Sequence, residues 1–174
     1  MMKMMNIEEI IVKPTRAEVE IIKQLRSNPY VNIGPNPKIR RTASRICFGV
    51  EHGDYNGTEL FGAAIGVESE NKNGISGFIW FMYSPNAEGK IKILSLNYPD
   101  QIADFKLGHF ISPSIVQNDK DFPWIKFPMG VDYVLRKRGI SLTKGINGVL
   151  IGKIPEGGLS RSASLTLNLM LSLL

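Results

Sequence analysis

One cysteine, Cys47, and two histidines are all that 174 residues supply of these side chains. A single thiol forms no intramolecular disulfide and no multi-cysteine metal site, which fits a reducing, cytoplasmic setting. Long apolar runs are missing too. Gly77 to Met82 and Leu165 to Leu174 fall well short of the ~20 residues a membrane-spanning helix needs. Met1 to Glu9 has no apolar stretch with a small-residue cleavage site behind it, so no export signal is read. The net charge of +5 is scattered, and its densest cluster, Arg136-Lys137-Arg138, closes a helix-like stretch where cations complement the dipole. Neither a nucleic acid nor a membrane is the expected partner. What remains, 43% hydrophobic and 21% charged, is enough for one buried core.

Along the chain, Thr15 to Ser27 places Ala17, Ile21, Ile22 and Leu25 at helical spacing, with Thr15 and Glu18 set as a capping box. Asn28 to Lys38 holds three prolines and a glycine and reads as an irregular connector. Strands are expected at Arg45 to Val50, Leu60 to Val67, Ile75 to Tyr83 and Lys90 to Leu96, forming an antiparallel half. Pro99 to Pro128 reads as loop with short helical turns. A helix over Phe127 to Arg138 is stopped by Gly139. The order then becomes strand (Gly148 to Ile154), glycine turn (Pro155 to Ser160) and helix (Ser162 to Leu174). That last segment crowds seven leucines and methionines without a closing cap, so it is expected to lie inside something larger, with the chain a fragment.

Two stretches have the parts for chemistry. Lys-Ile-Pro-Glu-Gly-Gly-Leu-Ser-Arg-Ser-Ala, residues 153 to 163, combines glycines that let backbone amides approach an anion with the amino-terminal end of a helix. Ser160 and Ser162 add hydroxyls, and Arg161 a permanent positive charge. Its spacing is neither that of a Walker loop nor that of a dinucleotide fingerprint. The second stretch is Arg45 followed by Glu51-His52-Gly53-Asp54-Tyr55-Asn56-Gly57. Carboxylates such as Glu51 and Asp54 accept hydrogen bonds from paired sugar hydroxyls, although Asp54, Asn56 and Gly57 are also ordinary turn residues.

Residues 45 to 57, Arg-Ile-Cys-Phe-Gly-Val-Glu-His-Gly-Asp-Tyr-Asn-Gly, resemble the galactokinase signature, an arginine ahead of Glu-His-x-Asp-Tyr-Asn. Residues 154 to 165 are similar to the Pro-x-Gly-x-Gly-Leu-Ser-Ser-Ser-Ala phosphate loop of the wider GHMP kinase superfamily. Between them, Pro99 to Phe105 looks like an Asp/Gln-rich stretch of these kinases, and Gly130 to Val134 takes the place of their Ala-Asn-Tyr-Val helix. Three departures stand out: Cys47 for asparagine, Val50 for glycine, and a phosphate loop one residue short with Arg161 for serine.

The resemblance implies an α+β fold, a two-layer mixed sheet with helices on one face, as an amino-terminal kinase domain over residues 1–174. Residues 1–40 would form a helix and connector and 41–174 the sugar- and phosphate-binding core, with a carboxyl-terminal domain absent. It implies ATP-dependent phosphorylation of a galactose-like aldose at its anomeric hydroxyl, with ATP and Mg2+ as cofactors. Arg45 would stabilise charge at the reacting hydroxyl. Glu51, His52 and Asp54 would hold the sugar. Gly157, Gly158, Leu159, Ser160, Arg161 and Ser162 would cradle phosphate, with Ser162 also on the metal. The family's aspartate base is expected beyond Leu174, so this chain alone is expected to turn over little. Alternatives are a non-catalytic sugar sensor or a kinase for a uronic acid, arabinose, fucose or an amino sugar. Exposed apolar surface is expected to favour a dimer.

Overall fold

A computed structural model describes residues 14–49, 53–59, 61–69, 74–109, 124–155 and 158–174. Helix α1 (Arg16–Arg26) starts at the expected place. The Thr15 hydroxyl accepts from the Glu18 amide at 3.2 Å, and the Glu18 carboxylate accepts from the Thr15 amide at 2.8 Å, completing the capping box. After a connector come β1 (Lys38–Gly49), a 3-10 turn (Asp54–Asn56), β2 (Phe61–Ile65), β3 (Val67–Ser69), β4 (Gly74–Ser76), β5 (Phe78–Asn86), β6 (Lys90–Ser95) and β7 (Tyr98–Lys106). Helix α2 (Lys126–Lys137), β8 (Gly145–Gly152) and helix α3 (Arg161–Leu173) follow.

Six strands form one sheet in the order β2-β1-β5-β8-β6-β7, and β3 and β4 form a separate pair. All neighbours in the large sheet are antiparallel except β6 and β8, which run parallel. Thus β8 enters between β5 and β6, which are consecutive in sequence. The inserted strand explains the near-continuous apolar reading of β8, because it is covered on both faces.

Alternation sorts the core into two layers. Phe81, Ile91, Ile93, Ala103, Phe105 and Leu150 face α2 and α3, which contribute Val131, Leu135 and Leu169. Trp80, Met82, Leu94, Val149 and Ile151 face the other way and are covered by Ile21 and Leu25 of α1 with Val31 and Ile33 of the connector. The mixed α+β sheet is as expected. Placement of helices on one face describes α2 and α3, while α1 lies on the reverse. At roughly 1.5–3 kcal/mol per fully buried large side chain, both layers are needed to offset the entropy of ordering the chain.

Two stretches differ from the sequence reading. Residues 98–106 form a strand rather than a loop: Ala103 and Phe105 turn inward while Asp104 and Lys106 stay exposed, and Pro99 is tolerated because β7 is an edge strand. β1 also begins at Lys38, well ahead of Arg45. Its first half is polar because Arg40 and Thr42 face bonding partners on α3 rather than an oily layer.

At the end of the chain polar and apolar side chains are buried together, with Leu165, Met170 and Leu173 partly buried against the core. Helix α3 buries Ser164 and Asn168 beside Leu169, whereas Leu167, Leu171 and Leu174 are 51%, 42% and 69% exposed. Among the described residues no helix is long and apolar enough to cross a membrane.

Candidate functional site

The parallel strands β6 and β8 end side by side, Ser95 opposite Leu150, and their carboxyl ends open onto one crevice. Open mixed sheets place ligands at this kind of edge, because helix amino termini and strand-end loops converge there. Asn97 fixes the rim: its side-chain oxygen accepts from the Gly152 amide at 2.7 Å and its nitrogen donates to the Gly152 carbonyl at 3.1 Å. The chain leaves β8 through Lys153 to Pro155 and re-enters the described residues at Gly158, whose φ is +67°. Among the described residues nothing lies near its Cβ direction, and the backbone conformation favours glycine there.

Ser160 follows with φ +55°, ψ +37°, the one non-glycine residue in the left-handed region among the described residues. That conformation costs roughly 1–2 kcal/mol for an L-residue, and such strain concentrates at ligand sites. Its hydroxyl makes no cap and is buried without a hydrogen-bond partner among the described residues. The first helical bond of α3 runs from the Ser164 amide to the Ser160 carbonyl at 3.0 Å. The amides ahead of it therefore project from the helix end, beside Arg161 and Ser162 and with no acidic residue in the first turn.

Arg45 reaches this loop through β1. Ala43 is the last β1 residue paired with β5, and the strand then runs on past the start of β5 towards the glycine loop. There the Arg45 amide donates to the Leu159 carbonyl at 3.2 Å. The side-chain Nε of Arg45 is buried without a partner among the described residues. Sequence positions 45 and 159 are thus joined by backbone.

The acidic turn stands at the tip of the β1–β2 hairpin. A bulge between Cys47 and Gly49 breaks the register just before it, and Gly53 accepts from the amides of Asn56 and Thr58 at 2.9 and 3.0 Å. Asp54 opens the 3-10 turn in this loop. Glu51, His52 and Gly157 lie outside the described residues, so the structure joins Arg45 to Leu159 and Ser160 but is silent on these three.

Arg161 and Ser162 line a cleft of about 470 Å3 together with Asn97, Tyr98, Trp124, Lys126 and Phe127. Trp124 is 5% exposed, yet its indole nitrogen has no partner among the described residues. An aromatic wall suits a flat ring, and the helix end with Arg161 suits an anion. Sequence reading misses Trp124 because Pro99 to Pro128 reads as loop with short helical turns, and it assigns no role to Asn97 and Tyr98 just ahead of that stretch. The isolated tryptophan just before a helix was the available signal. A second cavity of about 310 Å3, with Lys38, Tyr83 and Lys144 in its wall, contains none of the expected site residues. Among the described residues no group of three or more His, Cys, Asp or Glu could hold a metal ion.

Fold and loop together define a GHMP-type kinase domain. A mevalonate kinase from Methanococcus jannaschii superposes with a TM-score of 0.55 at 19% identity, covering 79% of this chain and 39% of that one. The galactokinase of Lactococcus lactis, solved in complex with galactose, gives a TM-score of 0.55 at 26% identity, covering 77% of this chain and 31% of that one. In sequence, the galactokinase of Limosilactobacillus reuteri is 34% identical over 117 residues, 66% of this chain and 27% of the relative. That of Lactiplantibacillus plantarum is 31% identical over 119 residues, 67% of this chain and 27% of the relative. No protein-family model matches the chain. The chain belongs to the galactokinase family of the GHMP kinases, and it spans about 27% of the length of the curated relatives it matches.

Proposed function

We propose that this chain supplies the sugar- and nucleotide-holding part of an ATP-dependent kinase that phosphorylates a galactose-like aldose at its anomeric hydroxyl. The observation that carries the reading is the backbone bond between Arg45 and Leu159, at 3.2 Å, which brings the arginine of one motif to the glycine loop of the other. Phosphoryl transfer is mostly positioning and neutralisation of charge spread over the transferred group. The α3 amino terminus, Arg161 and Arg45 would provide that neutralisation. Glu51, His52 and Asp54 would grip the sugar hydroxyls, while Gly157, Gly158, Leu159 and Ser160 would form the cradle.

The cleft walled by Tyr98, Trp124 and Phe127 fits the nucleotide's base, with phosphates running towards Arg161 and Ser162. The one hydroxyl of Ser162 is too few donors for a resident metal, but it suits Mg2+ carried in on nucleotide phosphates, an ion that keeps several waters and few protein ligands. Bound there, Mg2+ supplies charge neutralisation on the phosphate oxygens.

Calorimetry of the chain with galactose and with Mg·AMP-PNP, followed by a coupled ADP assay, tests the reading. Binding of both ligands with turnover well below that of a galactokinase supports it; absence of binding to either ligand overturns it. Cys47 and Val50 alter polarity and bulk beside the sugar turn, which favours including a uronic acid, arabinose, fucose and an amino sugar in the panel. Sugar binding without any nucleotide binding would identify a sensor instead.

A further inference from the structure

Helix α3 meets β1 through a buried polar stripe beside its apolar contacts, Leu165, Leu169 and Leu173, with the core, an arrangement that apolar burial alone does not produce. Ser164 and Asn168 are 5% and 0% exposed, and Thr42 of β1 is 9% exposed opposite them. The Thr42 hydroxyl donates to the Ser164 carbonyl at 3.1 Å, and the Ser164 hydroxyl donates to Thr42 Oγ1 at 3.0 Å. Asn168 Nδ2 donates to Thr42 Oγ1 and to the Ile79 carbonyl, each at 3.1 Å. One turn further on, Ser172 receives the Arg40 Nε at 3.0 Å.

We propose that Thr42, Ser164 and Asn168 are positioning residues, a buried latch that fixes the register of α3 against β1 and so holds the glycine loop beside Arg45. This deepens the kinase reading and rests on it for its functional meaning. Thr42 lies three residues from Arg45 along one strand, roughly 10 Å at the usual rise. Ser164 lies two residues from Ser162 on the helix. Hydrophobic contacts are non-directional and would tolerate a slide or rotation of α3, whereas buried hydrogen bonds lose their partners if it moves. A slip of one helical turn, about 5.4 Å, would carry the loop away from Arg45 altogether. The strained φ of Ser160 is held between two fixed points, the latch behind it and the Arg45–Leu159 bond ahead of it.

Hydrogen exchange followed by NMR tests the latch without any ligand. In Thr42→Val, which keeps the shape and removes the hydroxyl, the Arg45 amide is expected to exchange ~10-fold faster, with Val149 and Leu150 in the sheet centre unchanged. Ser164→Ala, the milder change, should act in the same direction, and Thr42→Ser should restore protection of the Arg45 amide. Mg·AMP-PNP affinity should fall with the loss of protection while galactose affinity stays level. Unchanged Arg45 protection in both variants, or an equal loss of protection at Arg45, Val149 and Leu150, overturns the proposal. If Thr42→Val does not fold, the comparison of Ser164→Ala with Thr42→Ser decides the matter by the same criterion. Failure of the parent chain to bind Mg·AMP-PNP would refute the kinase reading and leave the exchange result standing on its own.

Discussion

The amide of Arg45 donates to the carbonyl of Leu159 at 3.2 Å across more than a hundred residues of intervening sequence. Since this link is made by backbone, it survives replacement of the side chain, and the kinase proposal assigns the guanidinium to the ligand. Arg45→Met is therefore expected to keep the melting temperature within a degree or two. Its affinity for Mg·AMP-PNP should fall ~10-fold or more, because hydrogen bonds to charged groups are worth roughly 1.5–3 kcal/mol. Calorimetry of the variant beside the parent chain measures both quantities. Loss of fold with the side chain would place Arg45 among structural residues.

Ser160 offers a test of stored strain. A β-branched residue is poorly tolerated at φ +55°, so Ser160→Val should lose about 1–2 kcal/mol of stability by urea unfolding, while Ser160→Gly should lose none. The hydroxyl, buried without a partner among the described residues, makes Ser160→Ala informative as well. If the hydroxyl is kept for a phosphate oxygen, alanine should leave stability level and weaken only nucleotide binding.

Much of this arrangement was legible in the sequence where local chemistry decides structure. Thr15 with Glu18 announced α1, Gly139 announced the end of α2, and the glycines before Ser160 announced a strand–loop–helix unit. Long-range pairing was not legible. The polar half of β1 drew no strand reading because its partners, Ser164, Asn168 and Ser172, lie over a hundred residues away. Their spacing of four in an otherwise apolar helix was the visible trace: a polar stripe at helical period, turned inward. β7 was hidden by Pro99, which only an edge position permits. Leucine-rich composition pointed to burial of α3 inside something larger, and hydrogen bonding fixed which of its faces lies on β1.

Two glycines should respond in opposite directions to the same change. A Cβ at Gly145 would run into the backbone of Lys90 and the side chain of Asn86, so Gly145→Ala should cost about 1–3 kcal/mol through forced backbone shifts. At Gly130, within α2, a Cβ meets nothing within 4 Å among the described residues, and Gly130→Ala should gain about 0.5–1 kcal/mol from helix propensity alone. Thermal melts of the two variants settle the sign of each.

Glu18 holds α1 to the sheet in two ways. It completes the capping box and pairs with Arg41 at 2.9 Å, and Arg41 in turn lies 4.5 Å from the centroid of Phe78 and 5.2 Å from that of Trp80. Glu18→Ala should cost about 1–2 kcal/mol, more than an exposed ion pair of roughly 0–1 kcal/mol would, because a cap is lost with it. Thr15→Ala should cost ~1 kcal/mol by removing the cap alone. A double variant losing no more than Glu18→Ala would show that both changes act through the same helix end.

The two tryptophans of the chain sit on opposite faces of the sheet, Trp80 under α1 and Trp124 in the wall of the cleft beside Ser162. That separation turns intrinsic fluorescence into a site-specific probe. If the cleft takes a nucleotide base, Mg·AMP-PNP should change the emission of Trp124 and leave Trp80 silent. The signal should persist in Trp80→Phe and vanish in Trp124→Phe. Adenosine, which lacks the phosphates, should give the same change in emission at a much higher concentration, because the base wall is retained and the helix end is left unused. A response from Trp80, or one from pyrophosphate equal to that from the nucleotide, would move the base out of this cleft.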